Sequence, residues 1–180
     1  MMNSVTKYFI LAGLLISINK LNAQVLSFHH GEVEFYTETV MSDIEAVTKT
    51  ADVKLDIETG DFEATINIQS FEFEYETMQE HFNEKYMESD KFPQATFKGK
   101  ISQNISNISE EMEVDASGKM TIHGVSKEIK IKAKIAKKQD YTVVECKIPV
   151  VFEDYQVDEP SILSKSVAKD VLIKVSVYLK

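Results

Sequence analysis

The chain has 180 residues, a formal net charge of −9, a single cysteine and 20 basic residues, all of them lysine. The length fits one domain behind a leader, and a lone Cys146 excludes an internal disulfide, so a packed core must hold the fold. An acidic surface without arginine argues against nucleic acid, whose phosphates call for basic, bidentate side chains, and against docking on anionic lipid head groups.

Residues 1–23 read as a signal peptide. Lys7 supplies the positive start, Tyr8 to Ile18 is apolar, and Leu21-Asn22-Ala23 places a small residue before a cut at Ala23–Gln24. The apolar stretch is shorter than the about 20 residues a membrane helix needs. No cysteine follows it to carry a lipid anchor. The mature chain, 24–180, is therefore expected to be exported, to the periplasm in the first place and otherwise secreted, with no integral membrane span.

Strands then follow in order. Residues 25–37 predict a short strand, a break at Gly31 and a second strand in which Val33 and Phe35 alternate with glutamates. Residues 41–46 read as irregular or as one helical turn. Val53, Leu55 and Ile57 run into a turn at Thr59-Gly60-Asp61, and Phe62, Ala64, Ile66 and Ile68 run back, which is a hairpin. Phe71, Phe73 and Tyr75 extend an aromatic line.

One helix is predicted, near residues 77–89. Thr77 and Glu80 have the spacing of a capping box. Met78, Phe82 and Tyr86 share a face, with His81 and Lys85 beside it and Glu80, Asn83, Glu84 and Met87 turned away. Phe92 must be extended because Pro93 follows. Further strands are centred on Phe97, on Val114, on Met120 beyond a turn at Ser117-Gly118, on Ile131, on 141–150 and on 171–179. Residues 102–109 form a polar loop and 153–166 an acidic, serine-rich one.

Regular short strands with wet faces of Lys and Glu predict a mainly β fold: one antiparallel barrel of about eight strands that is not a membrane barrel, because its outward face is charged. The interior of such a barrel either packs solid or holds one small ligand.

Positive signs of catalysis are missing. His29 and His30, adjacent in a strand, face opposite sides and do not chelate together, and no HExxH is present, so no metal is assigned. His81 reads as a partly buried histidine or a ligand contact, and His123, before Gly124, as a turn residue or a ligand contact. Cys146 lies within a strand among Val143, Val144 and Ile148, the position of a small core residue. There is no GxSxG elbow. The aromatic line and the helix face could fill a core or line an apolar pocket.

Two stretches carry a resemblance. His81 to Ile101, HFNEKYMESDKFPQATFKGKI, resembles the part of the YceI-like family in which a histidine-bearing helix leads into a Phe-Pro-x-x-x-Phe strand. Met120 to Val125, MTIHGV, followed by Ser126-Lys127, resembles the family's Leu-Thr-Ile-x-Gly-Val-Thr-Lys signature. The resemblance spans essentially the mature chain. It implies an extended, lipocalin-like barrel that binds long apolar molecules such as polyisoprenoids. Many members carry Arg-Asp where this chain has Met78 and Gln79, so the resemblance implies no charged head-group contact there. His29-His30-Gly31 matches the family's His-Ser pairing only loosely.

The expectation is thus a non-catalytic carrier of a long-chain apolar lipid, polyisoprenoid or fatty-acyl, needing no cofactor and compatible with a homodimer. Its ligand contacts are Phe71, Phe73, Met78, His81, Phe82, Tyr86, Phe92, Phe97 and His123. Two other readings compete with it. One is a structural or stress-related exported barrel acting through a protein partner. The other is a hydrolase pairing His81 with a carboxylate.

Overall fold

A computed structural model describes residues 25–38, 43–157 and 170–180; the expected leader and much of the loop before the last strand lie outside the described residues. The elements are β1 (Val25–Thr37), β2 (Ile44–Thr48), β3 (Asp52–Asp56), β4 (Asp61–Asn67), β5 (Glu72–Phe73), α1 (Glu76–His81), β6 (Gln94–Ile101), β7 (Met112–Ile122), β8 (Val125–Lys138), β9 (Tyr141–Val151) and β10 (Asp170–Leu179). All pairings are antiparallel. The order β10-β9-β8-β7-β6-β4-β3-β1 is closed by β1 against β10, which makes an eight-stranded barrel. Closure removes the exposed edges that would otherwise template aggregation. The barrel fold expected from the alternation is therefore the observed one.

Several local expectations fail for non-local reasons. The chain does not break at Gly31. β1 runs straight through it, with φ +141°, because β10 passes so close that a Cβ would lie 2.3 Å from the Ser176 carbonyl oxygen. Residues 44–48 are a strand, β2, held by pairing Val33 to Thr48 and Phe35 to Ala46. Gly118 is not in a turn. It faces Gly99 across β6 and β7, where a Cβ on either residue would collide with the other strand's backbone.

β2 and β3 keep one register against β1, as Val33 to Thr48 and Ser27 to Lys54 show, with a gap between them at residues 49–51. Buried Thr48 stitches the gap: its Oγ1 accepts from the Thr50 backbone N–H at 3.2 Å and bonds Ser70 Oγ at 2.8 Å. This satisfies backbone polarity that the broken ladder leaves open.

Two apolar clusters fill the barrel in different ways. The upper one, at the end that carries α1 and the β7–β8 turn, is rich in aromatics: Phe35, Phe71, Phe82, Phe97, Phe152 and Tyr155. The lower one is aliphatic, around Ile105, Val114, Ile135 and Leu179, each 2% exposed or less. Ile105 comes from the loop read as polar, and it plugs the lower end.

Candidate functional site

The barrel interior is hollow along much of its length, bordered by residues of both clusters. A cavity of about 200 Å³ is walled by side chains from β1, β3, β4, β6, β7, β8, β9 and β10 and by Phe82 and Met87 from the helical segment. The inward positions of β10, Val171, Ile173, Val175, Val177 and Leu179, all touch it. At about 3.3 Å per residue they span roughly 26 Å of strand. Among the described wall residues only two can donate a hydrogen bond from a side chain, Thr96 and Cys146.

The helical segment closes the upper end, and its geometry departs from the expected helix. The α-helix covers Glu76–His81 and starts without a side-chain cap, so Thr77 and Glu80 form no capping box. Phe82–Tyr86 is then a π turn, closed by the Met87 N–H on the Phe82 carbonyl at 2.9 Å. The wider turn takes in one extra residue and rotates the chain beyond it. Met87, expected to face away, is therefore brought to 4% exposure and onto the cavity wall. The segment is tied down by Asn83 Nδ2 donating to the Gln79 carbonyl, by Gln69 Nε2 donating to Asp90 Oδ1, and by the Ile68 N–H on the Pro93 carbonyl at 2.9 Å.

Phe82 is the centre of the lid. Its ring lies 5.4 Å from Phe35, 5.9 Å from Phe71 and 4.9 Å from Phe73, in edge or tilted contacts, the arrangement that aromatic quadrupoles favour.

Of the nine expected contacts, Phe71, Phe82 and Phe97 line the cavity. Phe73 and Tyr86 are half-buried against the upper cluster, outside the wall. Met78 is half-buried. His81 is exposed and stands apart from the wall, because it ends the regular helix on its outer side, next to inward Phe82.

His123 and Phe92 form a separate pair at the upper end, off the cavity wall, with ring centroids 4.4 Å apart. His123 sits in the two-residue β7–β8 turn with φ +50°, followed by Gly124 at φ +74°, as a type I′ hairpin requires. Its Nε2 is 3.3 Å from Glu88 Oε2, while its Nδ1 is buried without a protein partner among the described residues. A hydrogen bond from Lys91, with a smaller contribution from His123, holds the Glu88 carboxyl below its ordinary value.

Several wall residues were not expected as contacts. Val33, Phe35, Met120 and the β10 stripe could have been found by taking every inward position of every strand; Met87 and Phe152, outside the strands, could not. Among the described residues the one titratable side chain on the wall is Cys146, whose thiol burial pushes up to about 12. Among the described residues no group of three or more His, Cys, Asp or Glu is placed to hold a metal, and no helix is long and apolar enough to cross a membrane.

Solved structures share the fold. BcnA from Burkholderia cenocepacia superposes with a TM-score of 0.69 at 20% identity, covering 82% of this chain and 95% of its own. A polyisoprenoid binding domain from Saccharophagus degradans, implicated in plant cell wall breakdown, gives 0.75 at 13% identity, covering 86% and 97%. The YCEI protein of Campylobacter jejuni gives 0.52 at 23%, covering 73% and 81%. A search of curated proteins finds no match. The model of the YceI-like domain matches residues 20–179, and the chain therefore belongs to the YceI-like family.

Proposed function

We propose that the protein is a non-catalytic, exported carrier of a long-chain apolar lipid, of the polyisoprenoid or fatty-acyl class, held in the barrel. The observation that carries this reading is the cavity of about 200 Å³ with an almost wholly apolar wall. An apolar cavity of that kind disfavours water and takes hydrocarbon. Each buried methylene contributes about 0.8 kcal/mol, so a dozen contribute roughly 10 kcal/mol before the costs of association.

The chain would lie along the β10 stripe and against Phe71, Phe82 and Phe97. Phe73, Met78 and Tyr86 support the lid, and His123 with Phe92 lies at the same end of the barrel, where a polar end would emerge. His81, exposed, reaches such an end only if the end projects beyond the lid. Cys146, kept protonated by burial, is a poor nucleophile, which supports carriage over catalysis. The ligand named for the Saccharophagus degradans domain points to the same class.

The test is mass spectrometry of an organic extract from protein purified without detergent, followed by reloading of delipidated protein with a polyprenol. One lipid per chain at either step is the expected result. An empty extract together with failure to take up a polyprenol or a fatty acid overturns the reading. Export is tested on the same preparation: an intact mass beginning at Gln24 in the periplasmic fraction is expected, and an uncut cytoplasmic chain refutes it.

A further inference from the structure

The lower end of the barrel holds a second group of side chains, unrelated to the lipid cavity. His29 and His30 were expected to face opposite sides of a strand, and they do not. β1 pairs with β10 as Phe28 to Leu179 and then His30 to Tyr178, so His29 is the extra residue of a β-bulge. A bulge re-aims its side chain, and here it brings the two imidazoles together, Nδ1 to Nδ1, at 2.8 Å. At that separation at least one Nδ1 presents a lone pair, not a proton.

The rings are held in place by aromatics. His30 stacks on Tyr178 with centroids 4.3 Å apart and planes at 16°, and both histidines meet Tyr141 edge-on, at 4.9 and 5.2 Å. Both are exposed, so an ion can reach them from solvent.

We propose that His29 and His30 form a site for one monovalent copper ion, bound through the two Nδ1 atoms. The donor set decides the ion. Imidazole nitrogen suits copper, zinc and nickel, whereas calcium and magnesium want oxygen. No third His, Cys, Asp or Glu joins the pair among the described residues, and structural zinc almost always takes four protein ligands.

Monovalent copper, a filled-shell ion, is satisfied by two nitrogens in line. With metal–nitrogen bonds of about 2.0 Å, a collinear arrangement spans about 4 Å, so the rings must part by roughly 1 Å, a small rotation for exposed side chains. Charge points the same way. The Lys180 ammonium lies 5.5 Å from the Tyr141 centroid, so a single added charge is tolerated better than two. The ring faces nearby attract a cation.

The test is anaerobic titration of the mature protein with copper(I) against a bicinchoninate competitor, with X-ray absorption on the one-to-one complex. One equivalent bound by two nitrogen neighbours is expected. His29→Gln and His30→Gln should each abolish competition with the chelator while leaving the melting temperature unchanged. Tyr141→Phe, which keeps the ring and removes the hydroxyl, should bind as the parent does. Failure to compete, binding that survives both histidine variants, or a shell of four ligands overturns the proposal, as does preferential uptake of zinc.

Discussion

The two ends of the barrel are built from the same strands and the same alternation, and the cavity runs between them, yet one end borders it with aromatic rings and the other seals it with aliphatic side chains behind its wall. At the lower end Ile105, Val114 and Ile135 are wholly enclosed and stay off the cavity wall. At the upper end large rings meet at their edges around a void. Branched aliphatic chains interlock to crystal-like density. Rings anchored on a short helical lid cannot fill the space below them. The aliphatic side chains behind the wall at the lower end store stability, and the residues facing the cavity give some up to keep a binding volume.

Truncation separates the two most sharply. Ile135→Ala removes a side chain with 0% exposure from the packed end, and should cost about 4 kcal/mol, near the upper part of the range for such changes. Phe82→Ala removes a larger side chain from the lid, yet should cost only about 2 kcal/mol. Its ring already faces a void and lacks partner atoms on that side. Urea unfolding of the delipidated protein measures both. Equal losses would mean that the upper end is packed as tightly as the lower.

Enlargement reverses the contrast. Val114→Trp overfills the packed end and should destabilise by about 3 kcal/mol. Val175→Trp points into the cavity, so its stability should stay within about 1 kcal/mol of the parent while lipid uptake falls at least about tenfold, or 1.4 kcal/mol. Unfolding midpoints and reloading with a polyprenol give the two readouts. Retained uptake in Val175→Trp would remove the cavity from the binding story.

How much of this was legible depends on range. Strict alternation such as Val53, Leu55 and Ile57, or Ile129, Ile131 and Ala133, marks the dry face locally, so barrel and strand count could be read from it. The passage of β1 through Gly31, the facing glycines 99 and 118 and the conversion of 44–48 into β2 depend on a distant partner strand. The π turn at Phe82–Tyr86 shifts the phase of the lid by one residue, which no 3.6-residue pattern can register, so that pattern puts Met87 on the wrong face. The bulge at His29 does the same to the histidine pair. Hollowness is a property of summed volumes. Alternation names the inward residues and says nothing of whether they meet. Even the plug was hidden, because Ile105 and Ile108 are apolar islands in a polar loop.

Cys146 lies where the two clusters meet, packed against both and on the cavity wall. With the thiol pushed up to about 12, roughly one molecule in ten thousand is thiolate at pH 8, against about a quarter for an ordinary cysteine. Labelling by a small maleimide should therefore be slow at pH 8 and rise about tenfold per pH unit to pH 10 without a plateau. Loading with lipid should slow it further by occupying the route in. The same shift bears on stability. The unfolded thiol ionises near pH 8.5 while the folded one does not, so the unfolded state binds fewer protons between about 8.5 and 12, and stability falls as pH rises through that window. The loss should reach about 2 kcal/mol at pH 10 and vanish below pH 8. Cys146→Ala should flatten that decline. A parent protein that labels fast at pH 8, or whose stability is level from pH 8 to 10, would show that the cavity admits water down to the junction, and the division between the aromatic end and the sealed aliphatic one would fail there first.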